Sequence, residues 1–398
     1  MDPIRNPYSP GAGSPPPALA GRDLLREQVR IAIERLRIGK PTKSVLMVGL
    51  RGVGKTVLLE KMRNDAEAAG ICTVRVEAPE NRSLPAIIAP QLRLVLLRLS
   101  LVDAAKEKAK HALRALAGFA KGLKLKYSDI EVGFDLEPEP GLADNGDLEG
   151  DLTALLEEVG RAAQSAGTAV VLFIDELQYV ERSQFAALIS ALHRTSQARL
   201  PITVVGAGLP QLRGLAGEAK SYAERLFDFP MIGPLDAAEA ELAIQKPAEE
   251  EGVEFTVEAL AEILRQTNGY PYFLQEWGKH SWDVADRSPV TLANVLTASA
   301  QAIAALDESF FRVRFDRLTP TEKRYVRAMA ELGPEPLHRS GDIAACMGRA
   351  VSTLAPVRQK LILKGMIWSP SHGDTAFTVP LFDDFMKRIM PGKDWKTE

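Results

Sequence analysis

An α/β fold built on a parallel sheet is predicted by three features of the sequence. Short apolar segments of strand type stand at residues 43–48 and 168–174. A turn and a segment with apolar residues at helical spacing follow each of them, so the pattern changes repeatedly from that of a strand to that of a helix. A Gly-rich turn closes the first strand and an acidic pair closes the second. Strands that alternate with helices in this way form βαβ units, in which neighbouring strands run parallel.

The turn after the first strand carries the most specific motif of the chain. Residues 49–56 read GLRGVGKT and fit G-x-x-x-x-G-K-[ST], between the strand at 43–48 and a helix predicted over 56–69. Glycines let successive N–H groups turn toward phosphate oxygens, and the helix adds the positive end of its dipole. The loop therefore predicts a protein that binds a nucleoside triphosphate together with Mg²⁺. Its predicted ligand-binding residues are Gly49, Gly52, Val53, Gly54, Lys55, Thr56 and Val57.

Specific roles follow from the residue types at the end of the loop and of the later strand. Lys55 is expected to reach the β- and γ-phosphates, and the Thr56 hydroxyl is expected to ligate Mg²⁺. The strand at 168–174 ends in Asp175 and Glu176 at the carboxyl edge of the sheet. Asp175 is therefore predicted to be the second Mg²⁺ ligand, and Glu176 to polarise the attacking water. Alone, the acidic pair is also compatible with a simple helix cap.

Composition excludes several classes of protein. With 398 residues the chain is expected to form two or three domains, and its net charge of −3 requires any nucleic-acid surface to be a local patch. The two cysteines and five histidines show no disulfide or zinc spacing, which fits a reducing cytoplasm. No apolar run has the length of a membrane span and the N-terminus has no apolar signal core, so we expect a cytoplasmic protein without membrane association.

The predicted domain order follows the changes in composition and periodicity. Residues 1–18 are rich in Pro, Gly and Ser and are expected to be extended. A nucleotide-binding core follows over 19–234, with a helix at 22–38, a strand at 71–78, a helix at 84–101, a helix at 183–196, a fourth strand at 202–205 and a strand-like segment at 229–232. A helical lid is predicted over 235–316, a C-terminal domain over 317–390 and a tail over 391–398.

Residues 103–150 are predicted to be a charged insertion in the core. Lys and Arg dominate residues 106–126, whereas Asp and Glu dominate residues 129–151. The basic part has a helical apolar stripe, and the sequence around Ser128 and Asp129 alternates like a short hairpin. Two interpretations stay open: a surface that faces DNA or a partner, or a solvated helix and hairpin whose charges satisfy each other.

The lid and the C-terminal domain have helical patterns with clear ends. Asp236 and Glu239 have the spacing of a capping box, and lid helices are predicted over 237–250, 256–267, 271–285 and 291–315. In the C-terminal domain, helices at 321–331, 341–347 and 351–363 precede two strands at 366–369 and 375–379 and a helix at 382–390. This order is typical of a winged helix. Its candidate DNA contacts are Arg349, Arg358, Lys360 and Lys364. A winged helix also serves as a protein-docking module, and this alternative stays open.

In this order, the motifs resemble those of a AAA+-type P-loop ATPase, of the superfamily that includes origin-recognition initiators, the archaeal ATPase family and the STAND regulators. The resemblance covers about residues 17–390, from PALAGRD at 17–23 to the winged helix, and is most specific in GLRGVGKT and VVLFIDE. It implies that Gly21 and Arg22 lie near the adenine, and that Tyr270 and Pro271 of the lid contact the nucleotide. It also implies that Arg225 stabilises the transition state, within its own subunit or in a neighbouring subunit of an oligomer. As a surface residue, Arg225 is also compatible with a pair to Glu224 or Asp228.

Two departures from the family pattern define the expected activity. The fourth strand ends in Gly206-Ala207-Gly208, where many such ATPases carry a polar residue that senses the γ-phosphate. The lid carries Gly-Tyr-Pro at 269–271, where initiators place a sensor arginine. We therefore expect a slow ATP hydrolase that acts as a nucleotide-dependent switch, with its winged helix on double-stranded DNA. The alternatives are a STAND-like signalling or scaffold ATPase whose winged helix binds a partner protein, and a helper ATPase of a mobile element or defence system.

Overall fold

The computed structural model describes residues 1–11, 19–78, 83–123, 137–333, 335 and 337–396. Its central sheet has five strands in the order β2-β3-β4-β1-β5, and each neighbouring pair is parallel. The strands are β1 (Ser44–Val48), β2 (Cys72–Glu77), β3 (Val170–Asp175), β4 (Ile202–Gly208) and β5 (Phe227–Asp228). The predicted α/β fold with a parallel P-loop sheet is confirmed.

Eight helices of the described core cover the two faces of this sheet. They are α1 (Asp23–Arg37), α2 (Lys55–Ala68), α3 (Leu84–Leu99), α4 (Lys106–Gly122), α5 (Leu148–Ser165), α6 (Arg182–Gln197), α7 (Leu212–Ala219) and α8 (Ala223–Leu226). One apolar cluster packs α1 and α2 on one face, and a larger cluster packs α3 to α6 on the other. Because both faces are covered, every residue of β1, β3 and β4 is buried, as continuous apolar strands require.

Helix α4 belongs to the packed core, although its sequence is basic. Leu116 and Phe119 are almost completely buried in the larger cluster, between α3 and α5. Its charges are paired in part, since Lys110 lies 3.0 Å from Glu107 and Arg114 lies 3.9 Å from Glu139. These pairs favour the interpretation in which the charges satisfy each other. The hairpin predicted around Ser128 and Asp129 lies outside the described residues.

Four long helices of the predicted lid follow the sheet. They are α9 (Ala237–Glu250), α10 (Val257–Thr267), α11 (Pro271–Val284) and α12 (Leu292–Ala305), and a short α13 (Arg312–Asp316) ends the region. The capping box predicted at Asp236 and Glu239 is present at the start of α9. A π-helical turn, Leu306–Phe311, interrupts the single helix predicted over 291–315. The wider turn lets Phe310 and Phe311 both point into one aromatic cluster, with Phe273 5.7 Å from Phe310.

The C-terminal unit contains three helices, a small antiparallel sheet and a closing helix. Its elements are α14 (Pro320–Glu331), β6 (His338–Arg339), α15 (Ser340–Cys346), α16 (Val351–Leu363), β7 (Ile367–Trp368), β8 (Asp374–Phe377) and α17 (Phe382–Ile389). Strand β8 lies between β6 and β7. One apolar cluster runs without a break from the lid into this unit, so the two regions pack together. The domain boundaries themselves stay a prediction.

The first eleven residues run along the lid. A short 3-10 turn at Pro3–Arg5 interrupts the segment that the sequence predicts to be extended. The Tyr8 ring is buried against α11, and its hydroxyl donates to the Ile244 carbonyl oxygen of α9 at 2.6 Å. In the part of the chain that the structure describes, no helix combines the length and the apolar character needed to cross a membrane.

Candidate functional site

The Gly-rich loop at 49–56 joins β1 to α2 at the carboxyl edge of the sheet. Gly52 and Gly54 have φ of 81° and 86°, a region that favours glycine because it has no Cβ. A Cβ on Gly49 would lie 2.2 Å from the Ile232 carbonyl oxygen, so this position also requires glycine. Gly54 is the N-cap of α2 and leaves the first N–H groups of the helix facing the loop. Such a helix start is suited to binding an anion.

Lys55 is almost completely buried beneath the loop. Its ammonium group donates to the carbonyl oxygens of Gly49 at 3.0 Å and Leu50 at 2.8 Å. Burial lowers the pKa of Lys55 to about 8, against the opposing influence of the carboxylates of Glu176 and Asp175. A buried ammonium that is held by two carbonyl groups gains more from an anion than a solvated one does.

Thr56 and Asp175 form the oxygen pair that the sequence predicts for Mg²⁺. The Thr56 hydroxyl donates to Asp175 Oδ2 at 2.6 Å, across the junction of α2 and β3. Asp175 is buried, and burial raises the pKa of its carboxyl group. A hydroxyl and a carboxylate beside a phosphate-binding loop fit the oxygen ligands that Mg²⁺ prefers. The residues present therefore fit the cation that the motif implies.

Glu176 is held in an unusual backbone conformation. Its φ of 54° and ψ of 35° turn the chain away from β3 directly after Asp175. One carboxylate oxygen accepts a hydrogen bond from the amide of Gln178, and the other lies 4.0 Å from the Arg51 guanidinium. Backbone strain at a non-glycine residue is commonly found at functional sites. This geometry places an oriented carboxylate at the edge of the loop.

Two arginines that the sequence analysis did not single out also lie near the Gly-rich loop and Glu176. Arg51, inside the loop itself, donates to the Tyr179 hydroxyl at 2.7 Å. Arg314 comes from α13, and its guanidinium lies 4.1 Å above the centre of the Phe310 ring. Burial lowers the pKa of Arg314 to about 10, and the positive charge of Arg51 acts in the same direction. Arg51 was visible within the motif, whereas no local pattern marks Arg314.

A cavity of about 990 Å³ surrounds these groups. Its volume lies at the upper end of the roughly 300–1,000 Å³ that is usual for small-molecule sites. The loop, Asp175 and Glu176 form its floor, and Pro271 and Tyr272 of the lid form one wall. Residues of the C-terminal region close it further, and the first residues of the chain reach its edge. The lining residues near the start of the chain are Ser9, Pro10 and Gly11, and those of the C-terminal unit include Lys364 and Met366. Arg314 of α13 lines the cavity from the end of the lid.

The residues implied by the resemblance lie at different distances from this cavity. Arg22 lines it and donates to the Gly233 carbonyl oxygen, while Gly21 approaches the Glu239 side chain so closely that a Cβ would clash. Pro271 lines the cavity. The Tyr270 ring packs 6.0 Å from Phe273, and its neighbour Tyr272 borders the cavity. The predicted nucleotide contacts of Gly21, Arg22, Tyr270 and Pro271 all stay predictions.

Arg225 lies at the opposite edge of the sheet. It belongs to α8, which directly precedes β5, and Phe227 of β5 pairs with Ser44 at the start of β1. The Gly-rich loop follows the other end of β1. Arg225 is exposed. Its predicted role in stabilising the transition state, within its own subunit or in a neighbouring one, stays a prediction.

Two of the four basic residues predicted to contact DNA are engaged within the C-terminal unit. Arg358 donates to hydroxyl and carbonyl oxygens around the β7–β8 hairpin, including the Thr375 hydroxyl at 2.9 Å. Lys364 pairs with the buried Glu322 at 2.6 Å. Arg349 and Lys360 are exposed. Contact of all four with DNA stays a prediction.

Comparison with known families finds a match in the core. Residues 18–205 match the family described as the AAA ATPase domain. Residues 308–386 match a family described as a domain of unknown function (DUF8462). No curated protein matches the sequence significantly. The first match supports the AAA+-type P-loop ATPase resemblance that the motifs indicate.

Solved structures are similar to this chain at low sequence identity. A Walker-type ATPase of Pyrococcus abyssi is 15% identical with a TM-score of 0.57, over 93% of this chain and 96% of that chain. The Aeropyrum pernix ORC1 protein, solved in complex with DNA, is 12% identical with a TM-score of 0.48, over 94% of each chain. The Thermotoga maritima RuvB Holliday junction branch migration motor is 17% identical with a TM-score of 0.44, over 90% of this chain and 92% of that chain.

Proposed function

We propose that this chain, whose residues 18–205 match the AAA ATPase domain, is a slow ATP hydrolase whose nucleotide state sets the position of its C-terminal unit. The proposal depends mainly on one observation. The backbone N–H of Arg51, within the Gly-rich loop, donates to the carbonyl oxygen of Thr378 in the C-terminal unit at 3.0 Å. Gly365 lies against the same Arg51 side chain and the Tyr179 hydroxyl. The phosphate-binding loop and the C-terminal unit are thus in direct contact.

This contact supports a switch because the loop must adapt to its ligand. Backbone N–H groups of such a loop turn toward phosphate oxygens when a nucleotide binds. The Arg51 N–H is already bonded to Thr378, so a change in loop geometry alters a bond to the C-terminal unit. Arg314 of α13, at the end of the lid, lines the same cavity. A ligand that binds the two arrangements differently shifts the equilibrium between them.

The residues of the site divide the chemistry between them. Lys55 and the N-terminus of α2 bind the phosphates, while Thr56 and Asp175 hold Mg²⁺. Mg²⁺ neutralises charge on the phosphates when it is bound. Glu176 accepts a proton from the attacking water, and the Gln178 amide and Arg51 hold the Glu176 carboxylate in place. Arg51 and Arg314 add positive charge inside the cavity, and Arg225 acts in trans if the chain forms a homo-oligomer.

Duplex DNA is the proposed ligand of the C-terminal unit, which we interpret as a winged helix. Helix α16 exposes Lys360, and Arg349 is exposed just before it, so both can reach phosphate oxygens. A second candidate is a partner protein. It is favoured by the engagement of Arg358 and Lys364 inside the unit and by the exposed apolar side chains of Val351 and Leu363. Val351 and Leu363 are 49% and 69% exposed.

Two substitutions test the assignment of the site. Lys55→Ala removes the buried ammonium and is expected to weaken ATP binding at least 100-fold. Glu176→Gln keeps the shape of the side chain, so ATP binding is expected to stay within about threefold while phosphate release falls at least 100-fold, as loss of a general base requires. Equilibrium binding of a fluorescent ATP analogue and a phosphate-release assay measure the two effects. Unchanged phosphate release in both variants would refute the proposed function.

A further inference from the structure

Gln178 places a polar side chain beside the tip of β4, where the strand itself has none. The tip of β4 reads Gly206-Ala207-Gly208 and has no polar side chain. In the structure Gly208 pairs with Val48, directly before the Gly-rich loop, so this tip borders the phosphate-binding region. The turn Leu177–Tyr179, which follows Glu176, lies over the same strand end.

The amide of Gln178 is fixed at both of its ends. Its Oε1 accepts a hydrogen bond from the backbone N–H of Leu209 at 3.0 Å, immediately after the tip of β4. Its Nε2 donates to Glu176 Oε2. A backbone N–H can only donate, so the oxygen must face Leu209 and the NH₂ group must face the carboxylate. The orientation of the amide is therefore unambiguous.

The glycines of β4 make room for this arrangement. A Cβ on Gly208 would lie 2.8 Å from Gln178 Oε1, and a Cβ on Gly206 would lie 2.3 Å from Leu177 Cδ1. Both distances are too short for ordinary contact, so larger residues would displace the turn. The Gln178 amide can therefore occupy the space above the strand tip only because the tip carries no larger side chain.

We propose that Gln178 is a positioning residue that anchors Glu176 to the tip of β4 for activation of the attacking water. A carboxylate that acts as a base needs one oxygen directed at the water while the rest of the group stays fixed. The bond from Nε2 fixes Oε2, which leaves Oε1 of Glu176 for the water. This inference rests on the proposed ATPase function and names a part of its machinery.

Two substitutions at Gln178 separate its anchoring from its contact with Glu176. Gln178→Ala removes both bonds, whereas Gln178→Glu keeps the size and the acceptor for Leu209 but loses the donor to Glu176. Both are expected to lower the single-turnover rate of ATP cleavage about 10- to 100-fold, the equivalent of one hydrogen bond to a charged group. ATP affinity is expected to stay within about threefold, because the phosphate ligands are unchanged.

Gly208→Ala tests the same geometry without a change at Gln178. The added Cβ would press on the amide oxygen, and we expect a similar loss of rate with little loss of affinity. Gly217→Ala in α7 is the matched control, because a Cβ there meets no atom within 4 Å. The control is expected to keep the rate of the unsubstituted protein.

A double substitution distinguishes positioning from a general structural effect. If Gln178 acts through Glu176, then Gln178→Ala adds no further loss of rate in the Glu176→Gln background. Additive losses, equal losses of rate and affinity, or an undiminished rate in Gln178→Ala would each overturn the inference. Failure of the proposed function has a different signature, since Glu176→Gln itself would then release phosphate like the unsubstituted protein.

Discussion

Two arginines on separate elements bring their charges into one cavity. Arg51 lies in the Gly-rich loop and Arg314 in α13, and the charge of Arg51 contributes to the lowered pKa of Arg314. Like charges that are partly desolvated destabilise a protein unless an anion lies near them. The Glu176 carboxylate, 4.0 Å from the Arg51 guanidinium, offsets part of this repulsion, and a bound anion would offset it further. The phosphates of the proposed nucleotide would supply such an anion.

This conflict predicts opposite effects of one substitution on stability and binding. Arg314→Met keeps contact with the Phe310 ring and removes the buried charge. We expect the melting temperature of the free protein to stay level or rise, while ATP affinity falls about 10-fold, the scale of one charge-assisted hydrogen bond. Differential scanning calorimetry and nucleotide titration give the two quantities. A lower melting temperature with unchanged affinity would assign Arg314 to packing alone.

At the scale of elements, the N-terminal segment acts as a strap on the lid. Tyr8 packs against Gly278 of α11, where a Cβ would lie 2.7 Å from its ring. The Trp282 indole donates to the Asp2 carbonyl oxygen at 2.9 Å, and the Ser9 N–H donates to Gln275 Oε1 at 3.3 Å. Gly278 thus provides a groove for an aromatic ring. The strap positions the residues that follow Tyr8 at the edge of the cavity.

Gly278→Ala tests this strap against a clear expectation. In a helix without such a contact, Gly→Ala stabilises by about 1 kcal/mol, as we expect for Gly214→Ala in α7, where the Cβ position is open. At position 278 the Cβ would displace Tyr8, so we expect a loss of about 1–3 kcal/mol, typical of overpacking. Chemical denaturation measures both variants. Equal stabilisation by the two substitutions would contradict the strap.

At the scale of elements, the local signals predicted most helices and strands to within a few residues. The capping box at Asp236 and the alternation of strand and helix around the sheet depend only on near neighbours in the chain. Helix α5 was missed because the acidic residues before it suggested a charged insertion that ends at 150. The π-helical turn at Leu306–Phe311 was also missed, because the burial of two adjacent aromatic residues depends on distant partners.

The whole molecule is organised around one cavity that the core, the lid and the C-terminal unit share. The lid and the C-terminal unit also share an apolar cluster, so movement of one is expected to carry the other. The contact of Thr378 with the Arg51 N–H is the place where the nucleotide would act on this arrangement. A response of the C-terminal unit to nucleotide is therefore the property of the whole chain to measure.

We expect duplex DNA to bind the full chain with an affinity that depends on the nucleotide. The two states to compare are the Glu176→Gln variant with bound ATP, which it does not cleave, and the protein with bound ADP. The logarithm of the affinity should fall linearly with the logarithm of salt concentration, because counterions leave the DNA. Arg349→Ala with Lys360→Ala should reduce that slope by about one to two units, whereas Lys246→Ala, an exposed lysine of the lid, should not. Fluorescence anisotropy measures each curve. Undetectable affinity at low salt would favour the partner protein.

The sequence by itself determined the parts whose chemistry lies in adjacent residues. The Gly-rich loop, Lys55 with Thr56, and the acidic pair after β3 are local patterns, and the sheet edge brings them together in any fold of this class. Only the tertiary structure placed Gln178 above Gly208, Arg314 in the cavity and Tyr8 on the lid. These contacts join residues that are distant along the chain or separated by a turn, and their geometry depends on the packing of the whole molecule rather than on any local spacing.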